Sequence, residues 1–278
     1  MNKIFWCIIL FFLFACNNRS EQQSDEIYSR HLQRKVKLAI IHSSKETESM
    51  DLLLLNDGQD MPELGLREIV DSLSDAGSIH PLLIVGIEAG DRQQEYGISG
   101  IPDYANRGSR ADKYNAFVNN ELYPFIKKKT GVKKFHSVSI AGWSLGGLSA
   151  FDIGWNYSDR FDKVGVFSGS FWWRDVDSGD STYSNDKNRI AYARAKSTRK
   201  KKFPQIWFYA GQLEEQSDRD HDSVVDVIDD TQDVRNILIS RGLTTEAKSP
   251  IVIDPGGRHD LATWKKHFPT FLVWISGK

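Results

Sequence analysis

The residues best equipped for chemistry in this chain of 278 residues lie at Gly142-Trp143-Ser144-Leu145-Gly146, between the apolar run Ser137 to Ala141 and the apolar helix candidate Leu145 to Asn156. A strand, a sharp turn and a helix in that order form a nucleophile elbow. The turn strains the serine backbone and needs small flanking residues, which Gly142 and Gly146 supply. Ser144 is then exposed at the tip, above the sheet. A serine hydroxyl is a weak nucleophile until a base takes its proton and a third group orients that base. Three histidines follow in sequence, His221, His259 and His267. His259 is the best placed, because Gly256-Gly257-Arg258-His259-Asp260 joins the last strand candidate to a helix, and a loop at the carboxyl end of that strand reaches the elbow. His267 falls mid-helix beside Lys265 and Lys266, and His221 falls among aspartates, so both have simple surface readings.

An acid is expected after the apolar run Ile206 to Ala210, where Gly211-Gln212-Leu213-Glu214-Glu215 offers two adjacent carboxylates. Spacing does not rank Glu214 against Glu215, and Asp218 and Asp222 are more distant choices. A developing oxyanion needs two preorganised main-chain donors. One is the N–H of Leu145, after the nucleophile and at the start of its helix. The other is expected from Asn56-Asp57-Gly58-Gln59-Asp60, where Gly58 permits a tight turn that aims the Gln59 N–H at the same point; the plainer reading is an Asp-Gly turn.

These residues require a frame that collects strand ends at one edge. Strand candidates are Val36 to His42, Leu52 to Leu55, Leu82 to Ile87, Ser137 to Ala141, Val164 to Phe167, Ile206 to Ala210 and Ile251 to Ile253. Most are continuous apolar runs, as strands buried on both faces should be. Helix candidates lie near Leu64 to Leu73, Ala111 to Lys129, Leu145 to Asn156, Val224 to Arg241 and Ala262 to Ile275. The alternation predicts an α/β three-layer sandwich on a mainly parallel sheet.

Composition fits one catalytic domain: 40% of residues are hydrophobic, 26% are charged, and the formal net charge is -1. That balance gives no electrostatic reason to expect nucleic acid, and the short run Arg199-Lys200-Lys201-Lys202 reads as a solvated loop. The N-terminus is distinct. Asn2-Lys3 precedes an apolar stretch, Ile4 to Phe14, too short to span a bilayer, so residues 1–15 read as a secretory signal. The ending Leu13-Phe14-Ala15-Cys16 resembles a bacterial lipobox, with Phe14 bulkier than usual there, which makes Cys16 the expected lipidated residue; release as a free secreted protein and retention as an uncleaved anchor are the alternatives. Residues 16–25 then read as a polar tether and 26–278 as a single domain. Cys7 would leave with the signal, so the mature chain has no internal disulfide and no cysteine chemistry.

Several segments together carry a resemblance: Leu55-Asn56-Asp57-Gly58-Gln59-Asp60, Ala141-Gly142-Trp143-Ser144-Leu145-Gly146-Gly147, Ser168-Gly169-Ser170, Gly211-Gln212-Leu213-Glu214 and Gly256-Gly257-Arg258-His259. The stretch Arg107 to Phe125, a helix with a Tyr-x-x-Phe pattern leading to Glu121-Leu122-Tyr123-Pro124, adds to it. The chain resembles the esterase D / enterochelin esterase-like group of α/β-hydrolases, which includes feruloyl esterases, S-formylglutathione hydrolases and mycolyltransferases. The resemblance covers most of residues 26–278. It implies Ser144 as nucleophile, His259 as base, Glu214 as acid, and Gln59 and Leu145 as oxyanion donors. Arg258 is a departure, since many members have the histidine directly after the paired glycines. The motifs are weak on substrate and leave siderophore, feruloyl, acetyl and thioester groups open.

Substrate contacts are expected from Ser168-Gly169-Ser170-Phe171-Trp172-Trp173-Arg174, which follows a strand whose end faces the site. Trp172 and Trp173 are candidates to stack on a sugar or aromatic acyl group, and Arg174 to meet an anion; the competing reading packs the tryptophans onto the sheet. Asp218, Asp220, Asp222 and Asp226 have the spacing of a calcium loop, but Ser223 replaces the turn glycine and Asp229 the bidentate glutamate. An acidic helix N-terminus is the preferred reading, with no metal and no cofactor expected. The segment 175–202 is polar and aperiodic, either a lid or a solvated excursion. The expectation is a serine carboxylic ester hydrolase acting on a small-molecule or carbohydrate ester, held in a bacterial cell envelope by its lipid, at the periplasmic or outer-membrane face. An acyltransferase or thioesterase on the same triad, or a non-catalytic glycan- or siderophore-binding lipoprotein, are the alternatives.

Overall fold

In a computed structural model, which describes residues 21–43 and 49–278, the strand candidates join one eight-stranded sheet. The strands are β1 (Glu21–Ser29), β2 (Arg34–His42), β3 (Asp51–Asn56), β4 (Leu82–Ile87), β5 (Val138–Trp143), β6 (Lys163–Phe167), β7 (Gln205–Gly211) and β8 (Ile251–Asp254). Their order is β1-β2-β4-β3-β5-β6-β7-β8. The β1·β2 and β2·β4 pairs are antiparallel and all others parallel, so β3 to β8 end their carboxyl termini along one edge.

The helices are α1 (Met61–Leu64), α2 (Leu66–Asp75), α3 (Arg92–Glu95), α4 (Ala111–Phe117), α5 (Tyr123–Thr130), α6 (Leu145–Asn156), α7 (Asn185–Asn188), α8 (Ile190–Ser197), α9 (Asp226–Ser240) and α10 (Leu261–Ser276). Side chains alternate across each strand and feed two cores. Leu52 and Leu54 pack with α4, α5, α6 and α9, whereas Leu53 and Leu55 pack with α1, α2 and α10. Continuous apolar runs are therefore required, because both faces of each central strand are dry.

Differences from the expected elements have local causes. The predicted helix 64–73 breaks at Gly65, which adopts φ 62 between α1 and α2. The predicted helix 111–129 has a π-helical turn, Val118–Leu122, just before Pro124. Proline lacks the N–H that would continue the ladder, and a π turn absorbs the defect. Strand β1 was not foreseen, because its sequence is polar; it is an edge strand held by main-chain pairing to β2 from Glu21↔His42 to Ser29↔Arg34. The tether expected over 16–25 is corrected accordingly, since residues 21–25 belong to this strand. The signal candidate 1–15 and Cys16 lie outside the described residues. Within 175–202, α7 and α8 are docked: Arg189, almost fully buried, donates to Asp230 at 2.5 Å and to Asp233 at 2.6 Å on α9.

Candidate active site

Ser144 stands between β5 and α6 with φ 54 and ψ -125, a conformation that non-glycine residues occupy only when their surroundings enforce it. Three main-chain bonds enforce it here. Its N–H donates to the Phe167 carbonyl at 2.9 Å, and its carbonyl accepts from Leu148 at 3.1 Å and Ser170 at 3.2 Å. The flanking glycines are needed for space: a Cβ on Gly142 would lie 2.5 Å from the Gly146 main chain. The neighbouring Trp143 stacks on Trp264 of α10 with centroids 5.7 Å apart, and Trp264 meets the His259 ring edge-on at 5.2 Å. Through these contacts the last loop is held beside the elbow.

His259 Nδ1 lies 2.8 Å from Glu214 Oε2, pairing a carboxylate that is 1% exposed with an imidazole that is 41% exposed. The paired glycines make this meeting possible. A Cβ on Gly211 would lie 2.5 Å from the Gly257 carbonyl, and that carbonyl accepts the Leu213 N–H at 2.8 Å, so the two loops touch main chain to main chain. Arg258 does not disturb this: its N–H donates to Thr263 Oγ1 at 3.2 Å, and Asp260 caps α10 through the Thr263 N–H at 2.8 Å. Glu215 turns away and accepts the Val227 N–H at 2.7 Å; burial and nearby acids raise its carboxyl. Asp218 accepts main-chain N–H groups of Asp222 and Ser223. His267 bonds Asp254 at 3.0 Å, and His221 is exposed in a turn.

The other oxygen of Glu214 is held by groups that sequence reasoning did not pick out for this role. Oε1 accepts from Ser168 Oγ at 2.7 Å and from the Gly211 N–H at 2.6 Å, while Ser168 Oγ accepts from Trp264 Nε1 at 2.8 Å. Ser168 has φ 49, and this turn after β6 aims its hydroxyl back at Glu214. A buried carboxylate needs such donors to remain charged; that requirement is the signal that could have singled out Ser168.

At the end of β3, Asn56 donates to the Gly146 carbonyl at 2.7 Å and accepts from Tyr114 OH at 2.7 Å, which ties this strand to the first turn of α6. Gln59 follows in a short 3-10 turn, Gly58–Asp60; its side chain donates to Asp57 Oδ1 at 3.2 Å and accepts the Ala89 N–H at 3.2 Å. The turn starts beside the elbow, since Asp57 Oδ2 would lie 2.7 Å from a Cβ on Gly146. The Leu145 N–H occupies the first turn of α6, where helix N–H groups lack intrahelical partners. Burial, and after it the Asp57 charge, raises the Asp60 carboxyl in the same turn.

The three substrate candidates separate. Trp173 is fully buried, and a Cβ on either Gly97 or Gly108 would lie 2.8 Å from its ring. It is a packing residue, which corrects the expectation that it meets substrate: its ring fills the gap left by two glycines. Trp172 is half-buried and lies with Tyr104, Arg107 and Arg174 in an open cluster. The Arg107 guanidinium is 5.2 Å from the Trp172 ring, and that of Arg174 is 5.1 Å from Tyr104 and 6.0 Å from Trp172. Arg107 is neutralised by the buried Asp103, whereas Arg174 Nε is buried with no hydrogen-bond partner among the described residues. Asp218, Asp220 and Asp222 bring carboxylate oxygens within 4.8 Å of one another in the loop before α9.

Comparison with known proteins agrees with this architecture. The family model described as "Putative esterase" matches residues 29–275. The chain belongs to that esterase family. It is a carboxylic ester hydrolase of the α/β-hydrolase fold. Among individual proteins, it is 26% identical over 216 residues to the uncharacterized protein YbbA of Bacillus subtilis, covering 76% of this chain and 80% of that protein. Its fold is similar to the enterobactin esterase FES of Shigella flexneri, with a TM-score of 0.70 and 20% identity over 92% of this chain. The match spans 59% of the length of that enzyme. The siderophore hydrolase EstA of Aspergillus nidulans is similar over 98% of this esterase and 99% of its own chain, with a TM-score of 0.67 and 15% identity.

Proposed function

We propose that this esterase cleaves its substrate through an acyl-enzyme formed on Ser144. His259 takes the hydroxyl proton as Ser144 Oγ attacks the ester carbonyl, and the Gln59 and Leu145 N–H groups receive the oxyanion. Collapse expels the alcohol, which takes the proton from His259; water, deprotonated by the same histidine, then attacks the acyl-enzyme and releases the acid. Glu214 orients the imidazole and balances its positive charge. The observation that carries this reading is the 2.8 Å contact between His259 Nδ1 and the buried Glu214 carboxylate, since that geometry leaves the other ring nitrogen for the serine.

The open cluster of Tyr104, Trp172 and Arg174 supports an ester with an aromatic or sugar face and an anionic group. Arg174 supplies a charge that forms no ion pair with a carboxylate among the described residues. The similar enterobactin esterase was solved in the presence of 2,3-dihydroxy-N-benzoyl-serine, a compound with an aromatic face, and another similar structure is a ferulic acid esterase, which makes catecholate and feruloyl esters the first to test. Lipidation at Cys16 would hold the enzyme at the bacterial envelope, on its periplasmic or outer-membrane face, with β1 starting only a few residues later. Detergent phase partition of wild type against Cys16→Ala tests this.

The activity test is hydrolysis of p-nitrophenyl esters from acetyl to decanoyl, feruloyl esters and a catecholate siderophore by wild type and Ser144→Ala. Turnover that vanishes in the variant, together with fluorophosphonate labelling that requires Ser144, is expected. Equal turnover by both proteins would refute the assignment.

A further inference from the structure

The ion pair of Arg92 and Asp57 takes no part in the bond-making steps, yet it spans both halves of the pocket that would hold the oxyanion. Asp57 links β3 to the turn carrying Gln59 and sits in the left-handed region at φ 57, a costly conformation for a residue with a Cβ. It is 1% exposed, so its charge needs a close counter-ion. Arg92 supplies a fork, Nε to Oδ1 at 2.9 Å and Nη2 to Oδ2 at 3.0 Å, and Tyr96 OH accepts the Asp57 N–H at 3.0 Å. The guanidinium lies 5.3 Å from the Tyr96 ring centroid.

The same group reaches the other half. Arg92 Nη2 lies 3.4 Å from the carbonyl of Trp143, the residue before the nucleophile. Asp57 Oδ2 lies against the first turn of α6, so close that a Cβ on Gly146 would be 2.7 Å from it. One guanidinium therefore fastens the Gln59 turn to the strand and helix that carry Ser144 and Leu145. Arg92 is itself on α3, whose last residue, Glu95, is 1% exposed and takes a second fork from Arg34 at 2.9 and 2.6 Å. The brace is thus anchored behind as well as in front.

We propose that Arg92 is a positioning residue that sets the distance between the Gln59 and Leu145 N–H groups, and so governs kcat without touching substrate. This rests on the catalytic reading above. An oxyanion hole works only when both donors are aimed at the oxygen of the tetrahedral intermediate, and that demand is absent from the ground state. Loosening the brace should therefore appear in kcat and in the affinity of a transition-state analogue, with little change in KM.

The experiment compares wild type, Arg92→Met, Arg92→Lys and Arg92→Met/Asp57→Asn, reading kcat and KM on a p-nitrophenyl ester, Ki for a trifluoromethyl ketone, and Tm. Arg92→Met should lower kcat by about 10- to 100-fold, in line with the cost of a displaced oxyanion donor, and raise the ketone Ki by a similar factor while KM stays within about twofold. Arg92→Lys should fall between, because an ammonium cannot hold both oxygens in a fork. The double variant removes the unpaired buried charge, so it should recover Tm but not kcat. Should Arg92→Met fail to fold, Arg92→Lys and the double variant make the same comparison. Recovery of kcat along with Tm in the double variant would reduce Arg92 to a structural counter-ion and overturn the proposal. So would a raised KM with unchanged kcat, which would mean that Arg92 meets substrate. Ser144→Ala separates the two levels: an active Ser144→Ala enzyme sinks the catalytic reading and this proposal with it, whereas an inactive one beside a fully active Arg92→Met enzyme sinks the proposal alone.

Discussion

Replacing Ser168 with alanine tests how the Glu214 carboxylate is held. Ser168 donates to Glu214 Oε1 at 2.7 Å and accepts from Trp264 Nε1 at 2.8 Å, and both partner side chains are buried. Alanine removes two bonds at once. Loss of a hydrogen bond to a buried carboxylate costs about 1.5–3 kcal/mol, and an orphaned indole N–H about 1–3 kcal/mol. The backbone contributes little to the difference, because serine and alanine carry the same Cβ at φ 49. A total near 3 kcal/mol is expected once the cavity admits water, which for a chain of this size lowers Tm by roughly 6–12 °C. Activity should fall less than structure would suggest, since the Gly211 N–H still holds Glu214 at 2.6 Å. We expect kcat to drop about tenfold, or about 1.4 kcal/mol, far less than for Glu214→Gln, where a wrong histidine tautomer costs up to about 10⁴-fold in a comparable triad. The assay is kcat on p-nitrophenyl acetate at 25 °C beside a thermal melt. A melt and a kcat both equal to wild type would refute the reasoning; a lowered Tm with wild-type kcat would leave Ser168 a structural role alone.

The two adjacent tryptophans should respond oppositely. Trp173→Ala empties a fully buried site and should cost about 3–5 kcal/mol, seen as a large Tm drop, whereas Trp172→Ala should leave Tm within a few degrees and raise KM for aromatic esters; a KM effect confined to Trp173 would contradict the placement of both. The Asp229 carboxyl is raised to about 6, by burial first and by Asp220 and Asp222 after it. The folded state therefore holds a proton that the unfolded chain has lost between about pH 4 and 6, so this residue subtracts stability as pH rises through that window and continues to do so at neutral pH. Asp229→Asn should thus be more stable than wild type at pH 7, by about 1 kcal/mol or less because the group is partly solvated, and equal to it near pH 3.5. Urea melts at the two pH values check this, and a less stable variant at pH 7 would refute it.

Much of the frame was legible because parallel strands buried on both faces must be continuously apolar. Leu52 to Leu55, Leu82 to Ile87 and Val164 to Phe167 could hardly be anything else, and each is a strand. Helix α6, Leu145–Asn156, follows with the same economy. Strand β1 was hidden, since an edge strand is held by main-chain bonds that leave no apolar pattern. The breaks at Gly65 and before Pro124 were marked by residue type, but their outcomes depend on what the flanking turns pack against.

The sequence by itself determined the α/β frame and the short set of groups able to attack, accept a proton and hold an oxyanion, because backbone strain at Gly142 to Gly146 and the chemistry of serine and histidine restrict which residues can serve. Spacing left Glu214 and Glu215 unranked and only the resemblance favoured Glu214; the tertiary structure pairs Glu214 with His259, since adjacent residues point to different neighbours and the contact of Gly211 with Gly257 selects which one faces the histidine. The tertiary structure likewise sent Trp173 fully into the core and left Trp172 half-buried, and it joined Ser168, Trp264, Asp57 and Arg92 to the site. Those residues lie far apart along the chain, and the close packing that brings them together is a property of the assembled layers, with no counterpart in any local pattern.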